Sequence, residues 1–169
     1  PKCNVQCAYC NRKYDCINES RPGITSSVLS PFQALNYLRG ISDRIHNIST
    51  IGIAGPGDAF AEPEKTMETI RLIRDEFPDK IFCLSTNGLE IRPYVEELAS
   101  MGVTHVTLTI NSLRKETLKS IYKWVRYKKR VYRGEQAAEL ILRQQMAALP
   151  ALVSHGITVK VNSIIIPGL

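Results

Sequence analysis

The sequence predicts an α/β fold built on a parallel sheet, and three observations predict it. Short apolar runs alternate with stretches of helical periodicity from Pro31 to Ile166. The helical stretches separate successive apolar runs, as crossovers between parallel strands must, with right-handed connections. Each apolar run also closes on a turn rich in Gly, Asn, Asp or Ser. In parallel folds of this kind, ligands bind at the carboxyl ends of the strands. One domain, 1–169, is the expectation for 169 residues.

The elements follow in order. Residues 1–24 are polar and cysteine-rich, end in Arg21-Pro22-Gly23, and read as a loop. Ser30 as N-cap and Pro31 in the first turn open a helix to about Asn47, with Leu35, Leu38, Ile41 and Ile45 as its stripe. Ser49 to Ala54 reads as a buried strand ending in Gly55-Pro56-Gly57-Asp58. A helix over Pro63 to Phe77 buries Met67, Ile70, Leu72 and Ile73. Lys80 to Thr86 is the next strand, closed by Asn87-Gly88. Residues 91–101 form a helix broken by Gly102. Val103 to Ile110 is a strand ending in Asn111-Ser112. A polar, basic insert with helical character leads into a helix over Gly134 to His155. Gly156 stops that helix, and Ile157 to Ile166 is the last strand, closed by Pro167-Gly168.

Composition narrows the function classes. Hydrophobic content of 44% and charge of 22% are ordinary for a water-soluble domain. No run of 18 apolar residues suggests a membrane span, and no signal peptide is visible. A start at Pro1-Lys2 points to a piece of a longer protein. Net charge is +6, with much of the excess between Lys119 and Arg133. Such a segment suits nucleic acid, an anionic substrate or an acidic partner, or is simply a solvated face. Five cysteines, three of them clustered at the start, argue against a secreted disulfide scaffold and fit a reducing, cytoplasmic setting.

The cysteine cluster carries the strongest chemistry. Cys3, Cys7 and Cys10 follow a Cys-x3-Cys-x2-Cys pattern. Three is odd, and the loops between them are too short for a disulfide framework. Structural zinc usually takes four protein ligands. Three thiolates on a cube of iron and sulfide satisfy three irons and leave the fourth open for substrate chemistry. Elsewhere, Gly55 and Gly57 allow close backbone approach to a ligand, and Asp58 can meet an ammonium group. Ser85 and Asn87 end one strand. Alternation puts Thr107, Thr109 and Asn111 on one face of the next. Each of these also has a bland reading, as a tight turn or a threonine-rich strand. Cys83, in mid-strand, suits packing, whereas Cys16 lies in a polar loop. Glu19 and Arg21 suit either proton relay and charge balance beside a cluster or a structural pair. His46, His105 and His155 sit near element ends and look peripheral.

The cysteine spacing, with Tyr9 before the last Cys, resembles the cluster loop of the radical S-adenosylmethionine (SAM) superfamily. The longer run CNVQCAYCNRKYDCINESRPG, with the GPGDAF turn, resembles the NifB family, maturases of the nitrogenase cofactor. The resemblance implies a partial (β/α)6 barrel, with its first strand and C-terminal end outside this chain. It implies that Cys3, Cys7 and Cys10 hold a 4Fe–4S cluster whose open iron binds SAM. Tyr9 would flank both. The Gly55–Asp58 turn would hold the SAM amino group, with Asp58 in place of the superfamily's usual Glu. Ser85, Asn87, Thr109 and Asn111 would meet ribose and carboxylate, and Val161 to Ile164 would cover adenine. Cys16 and Cys83 would help hold substrate 4Fe–4S clusters, whose other ligands lie outside the chain. The implied activity converts two such clusters into a carbide-containing eight-iron precursor, with SAM as methyl donor and radical source. Implied partners are cluster donors, cofactor carrier proteins and a low-potential electron donor, with neither nucleic acid nor membrane. The alternative within the superfamily is an activase or maturase acting on a peptide or small molecule. A zinc or iron–sulfur module using its basic segment on nucleic acid is the non-enzymatic alternative.

Overall fold

The structure, a computed structural model, describes residues 2–10, 28–45, 47–55 and 57–167. Cys16, Glu19 and Arg21 lie outside the described residues. Two sheets organise the chain. The larger is fully parallel, in the order β2 (Thr50–Ile53), β3 (Ile81–Thr86), β4 (Val103–Thr109), β7 (Thr158–Asn162). The smaller is antiparallel, with β5 (Tyr122–Tyr127) between β1 (Val5–Cys7) and β6 (Arg130–Tyr132). The helices are α1 (Pro31–Ser42), α2 (Pro63–Glu76), α3 (Val95–Ser100), α4 (Lys115–Ile121) and α5 (Gly134–Ser154).

The parallel sheet follows from strand burial. Phe82, Leu84, Val106 and Leu108 are almost wholly buried and share one face. Against that face pack Leu35 and Leu38 of α1, Met67, Ile70 and Ile73 of α2, Leu98 of α3, and Ala148 and Leu152 of α5. Full burial of each large side chain contributes about 1.5–3 kcal/mol. Helices α1, α2, α3 and α5 therefore share one side of the sheet, while Leu118 and Ile121 of α4 pack with Val5 of β1 and Val125 of β5. The other side carries Cys83, Ser85, Thr107, Thr109, Lys160 and Asn162, which are half-buried or exposed. A sheet covered on one side is compatible with the expected partial barrel; the four strands themselves form an open sheet.

The amino ends of the strands are tied by Arg74 of α2. Its guanidinium donates to Met101 O at 2.8 Å, Lys80 O at 3.0 Å and Gly102 O at 3.1 Å, and lies over the Phe82 ring. Gly102, at φ +74°, leaves the room: a Cβ there would meet Arg74 Nη2 at 2.9 Å. The carboxyl ends are left for the site.

Four sequence expectations need correction. The helix from Pro31 ends at Ser42, not Asn47. Ser30 caps it as expected, and the structure adds a full capping box, with Ser30 Oγ accepting from Gln33 N–H and Gln33 Oε1 accepting from Ser30 N–H. Gly40, Ser42 and Asp43 weaken its last turn, and Ile45 falls outside, exposed. The last strand ends at Asn162, because its partner β4 stops at Thr109. The basic insert is helical only over α4; its aromatic and β-branched run Tyr122–Tyr127 becomes a strand. The first residues are not all loop, since Val5–Cys7 pairs with β5.

Candidate active site

The cysteine loop is held on both flanks of β1 and from within. Ala8 N–H donates to Ile121 O at 2.7 Å, and Arg126 N–H donates to Asn4 O at 2.7 Å. Gln6 Nε2 donates to Cys7 O at 3.1 Å and to Cys10 O at 3.0 Å, while Cys10 N–H closes onto Cys7 O at 3.2 Å. One amide side chain thus fixes the turn between two of the three cysteines. Cys3, Cys7 and Cys10 are all half-buried. Among the described residues no three His, Cys, Asp or Glu side chains converge on a single ion. Three thiols on one braced loop instead suit a polynuclear cluster, each thiolate taking its own iron. The donor set fits a 4Fe–4S cluster with one iron left open.

The strand-end turns are wired to this loop. Asp58 N–H donates to Lys2 O at 3.0 Å. The Asp58 carboxylate accepts from Phe60 N–H at 2.9 Å, Asn87 N–H at 2.6 Å and Thr86 Oγ1 at 2.9 and 3.1 Å. The residue keeps some accessible surface, yet its carboxylate faces inward. Burial pushes its pKa up, against the downward pull of the Asn87, Phe60 and Thr86 hydrogen bonds. Asn87 is the junction. Its Nδ2 donates to Asn4 Oδ1 at 2.6 Å, and its Oδ1 accepts from Leu89 N–H at 2.9 Å. Asn4 Nδ2 in turn donates to Glu90 Oε2 at 3.1 Å. Gly88, at φ +80°, makes the sharp turn after it.

The third turn reaches the loop through tyrosines. Asn111 Nδ2 donates to Tyr9 Oη at 3.2 Å and Tyr122 Oη at 3.1 Å. Burial first, then the neighbouring Cys7, raises the pKa of both phenols, so both stay protonated at neutral pH. Gln145 of α5, fully buried, donates to Asn87 O at 2.8 Å and Thr109 O at 2.9 Å. It locks the ends of β3 and β4 to each other.

The sequence-expected residues divide between two clefts. Tyr9, Thr109, Asn111 and Ile164, with Asn162 and Ser163, line a cleft of about 320 Å³ at the ends of β4 and β7. Gly55, Gly57, Asp58 and Ser85 border a wider cleft of about 560 Å³ between β2, α1 and α2. Asn87 is buried. Val161 shares the register of Leu108 and so turns away from the Thr109 face; Asn162 takes the place expected of it. Cys83 is half-buried on the uncovered side of the sheet, level with Gly52 and His105. His105 and His155 are exposed, as expected of peripheral groups.

Sequence reasoning missed Asn4, Gln6, Tyr122, Gln145 and Asn162 as positioning or lining residues. Gln145 left a readable signal. It occupies a core position between Ile141 and Ala148 on the buried side of α5, and a polar residue there must find internal partners.

Comparison with known proteins identifies the family. The model of the Radical SAM superfamily matches residues 1–169. The chain is 61% identical over 168 residues to the FeMo cofactor biosynthesis protein NifB of Chlorobaculum tepidum, covering 99% of this chain and 40% of that protein. It is 48% identical over 170 residues to NifB of Rhodobacter capsulatus, covering 100% of this chain and 37% of the relative. For NifB of Azotobacter vinelandii the identity is 46% over 168 residues, covering 99% and 33%. The chain thus spans two fifths or less of the length of these relatives. A cluster-type cysteine loop braced against the ends of a parallel sheet, and a family match from the first residue to the last, place the chain in the radical SAM superfamily of enzymes.

Proposed function

We propose that this chain is the radical-generating core of a NifB-type enzyme of nitrogenase cofactor biosynthesis. In this reading the full protein converts two 4Fe–4S clusters into a carbide-containing eight-iron precursor. SAM gives both the carbon, as a methyl group, and the radical that strips hydrogen from it. The observation that carries the reading is the hydrogen-bond web joining Cys3–Cys10 to the Asp58, Asn87 and Asn111 turns. It holds a cluster loop and a strand-end ligand cleft as one unit.

When bound, the 4Fe–4S cluster supplies one electron for reductive cleavage of SAM to methionine and a 5′-deoxyadenosyl radical. The chain's own residues do the placing. Cys3, Cys7 and Cys10 are the ligands, and Gln6 fixes the turn between the last two. Tyr9, Thr109, Asn111, Asn162 and Ile164 line the smaller cleft together. Gly55 and Gly57 present backbone where the methionine end of SAM is expected. Asp58 keeps that turn at the end of β3. Neutral phenols at Tyr9 and Tyr122 keep a hydrogen-bonding, uncharged surface beside the thiolates. Such fixed polar groups, with water kept out, protect a reactive carbon radical from quenching.

Cys83 on the uncovered face and Cys16 are assigned to the substrate clusters, with Glu19 and Arg21 as proton relay and charge balance. Electron donor, cluster donor and cofactor carrier are the partners, and a cytoplasmic location fits oxygen-sensitive thiolate chemistry. Among the described residues, no helix is long and apolar enough to cross a membrane. Anaerobic reconstitution of full-length wild type and Cys16→Ala tests the assignment. Lower iron per chain in the variant, with the SAM-sensitive cluster intact, is expected. Unchanged iron would favour a radical SAM enzyme acting on another substrate.

A further inference from the structure

The hairpin of β5 and β6 is the most one-sided electrostatic feature of the chain. Between residues 117 and 134 there is no Asp or Glu, yet the segment holds Lys119, Lys123, Arg126, Lys128, Lys129, Arg130 and Arg133. These seven cations exceed the net +6 of the whole chain. All seven are exposed, and among the described residues none pairs with a carboxylate. Arg126 lies over Trp124 and Lys128 over Tyr127, so the cations rest on aromatic surface.

The tip is built against local preference. Tyr127 and Arg130 pair, leaving a two-residue turn of Lys128 and Lys129 at φ +48° and +65°. A two-residue turn with both φ positive favours Asn-Gly, and Lys in either place is strained. Loss of local fit thus accompanies a doubled charge at the tip.

Position gives that charge a purpose. β5 pairs directly with the cysteine strand: Cys7 opposes Tyr122, Gln6 opposes Trp124, and Val5 opposes Val125. Arg126 N–H donates to Asn4 O, so the next residue out, Tyr127, comes level with Cys3, and both pack in the same apolar cluster. Lys123 therefore flanks the Cys7 end of the ladder, and the Lys128–Arg130 tip flanks the Cys3 end. A partner seated on this hairpin is one strand away from the cysteine loop.

We propose that the β5–β6 hairpin is the docking face for an acidic one-electron carrier protein, of iron–sulfur or flavin type, that reduces the cluster held by Cys3, Cys7 and Cys10. This rests on the cluster reading of those cysteines. One electron leaves the reduced carrier and enters that cluster; no bond forms and no proton moves. Complementary charge speeds encounter and orients it, with strong dependence on salt.

The test uses the full-length protein and a purified acidic bacterial 2[4Fe–4S] ferredoxin as probe. Two variants separate fold from docking. Lys128→Asn with Lys129→Gly relieves the turn while removing two charges; Lys123→Glu with Arg130→Glu reverses charge on both sides of the ladder. Calorimetric binding of oxidised ferredoxin, with and without the enzyme's own clusters, reads the surface independently of activity. Expected are a raised thermal midpoint for the turn variant and weaker, less salt-dependent ferredoxin binding for both. Ferredoxin-driven methionine release should fall about tenfold or more at low salt, and dithionite-driven release should hold. Wild-type binding and ferredoxin-driven rates in both variants would overturn the proposal. So would binding of a DNA oligonucleotide, but not of ferredoxin, lost with the charges. Wild type that binds ferredoxin but shows no SAM-sensitive signal under dithionite would instead sink the cysteine reading, and with it the electron route.

Discussion

Asp58→Asn separates a positioning role from direct ligand contact. The substitution keeps shape and removes charge. One oxygen can still accept from Phe60 N–H and Thr86 Oγ1. The new NH2 group then faces Asn87 N–H, which donates to Asp58 at 2.6 Å. A hydrogen bond is lost and a buried N–H is left opposite a donor. Such losses cost about 2–3 kcal/mol. The expected effect is local, because the same atoms join the Gly55–Asp58 turn to the end of β3. Hydrogen exchange in full-length protein should therefore rise about 30- to 150-fold in peptides covering 57–61 and 86–89, with peptides of α3 unchanged. The pH dependence has a definite sign. Burial raises the folded-state pKa of Asp58, so its ionisation opposes folding. The stability it contributes is fully present below the unfolded carboxyl pKa and is lost as pH rises through the folded value. The gap between wild type and Asp58→Asn should narrow as pH rises above the ordinary carboxylate range. Unchanged exchange combined with lost SAM affinity would refute the reasoning and make Asp58 a direct contact of the SAM amino group.

Other outcomes follow from the same web. Gln6→Ala removes both side-chain bonds across the Cys7–Cys10 turn and should lower cluster occupancy after reconstitution, read as iron and sulfide per chain, while the sheet keeps its exchange protection. Gln145→Leu strands the carbonyls of Asn87 and Thr109 and should destabilise the strand ends by about 1–3 kcal/mol, read by exchange at 86–89 and 108–111. Asn111→Ala removes the amide shared by the Tyr9 and Tyr122 hydroxyls and should weaken SAM binding severalfold in calorimetry, with iron content kept. Arg74→Ala, at the other end of the strands, should lower the thermal midpoint without touching SAM affinity; an affinity loss there would break the separation of the two ends.

The legible parts of this fold are those written locally. The capping box at Ser30, the glycine turns after β2 and β3, and the 3.6-residue stripes of α2 and α5 all depend on near neighbours. The β5–β6 hairpin did not show, because its partner strand Val5–Cys7 is more than a hundred residues away in sequence and a short aromatic-basic run reads equally as helix. The site was legible as a set of turns, but not as a web. Asp58 and Asn87 were read as facing a ligand, whereas their polar atoms bind one another and Asn4. Val161 rests on the family resemblance; register turns it to the Leu108 side.

The most direct test of the account is EPR of reconstituted, dithionite-reduced full-length protein, before and after SAM, in wild type and Cys7→Ala. A 4Fe–4S signal that shifts on SAM addition and is missing from the variant is predicted. A wild-type signal indifferent to SAM, or one that survives loss of Cys7, would contradict the assignment of the cysteine loop and strand ends to one site.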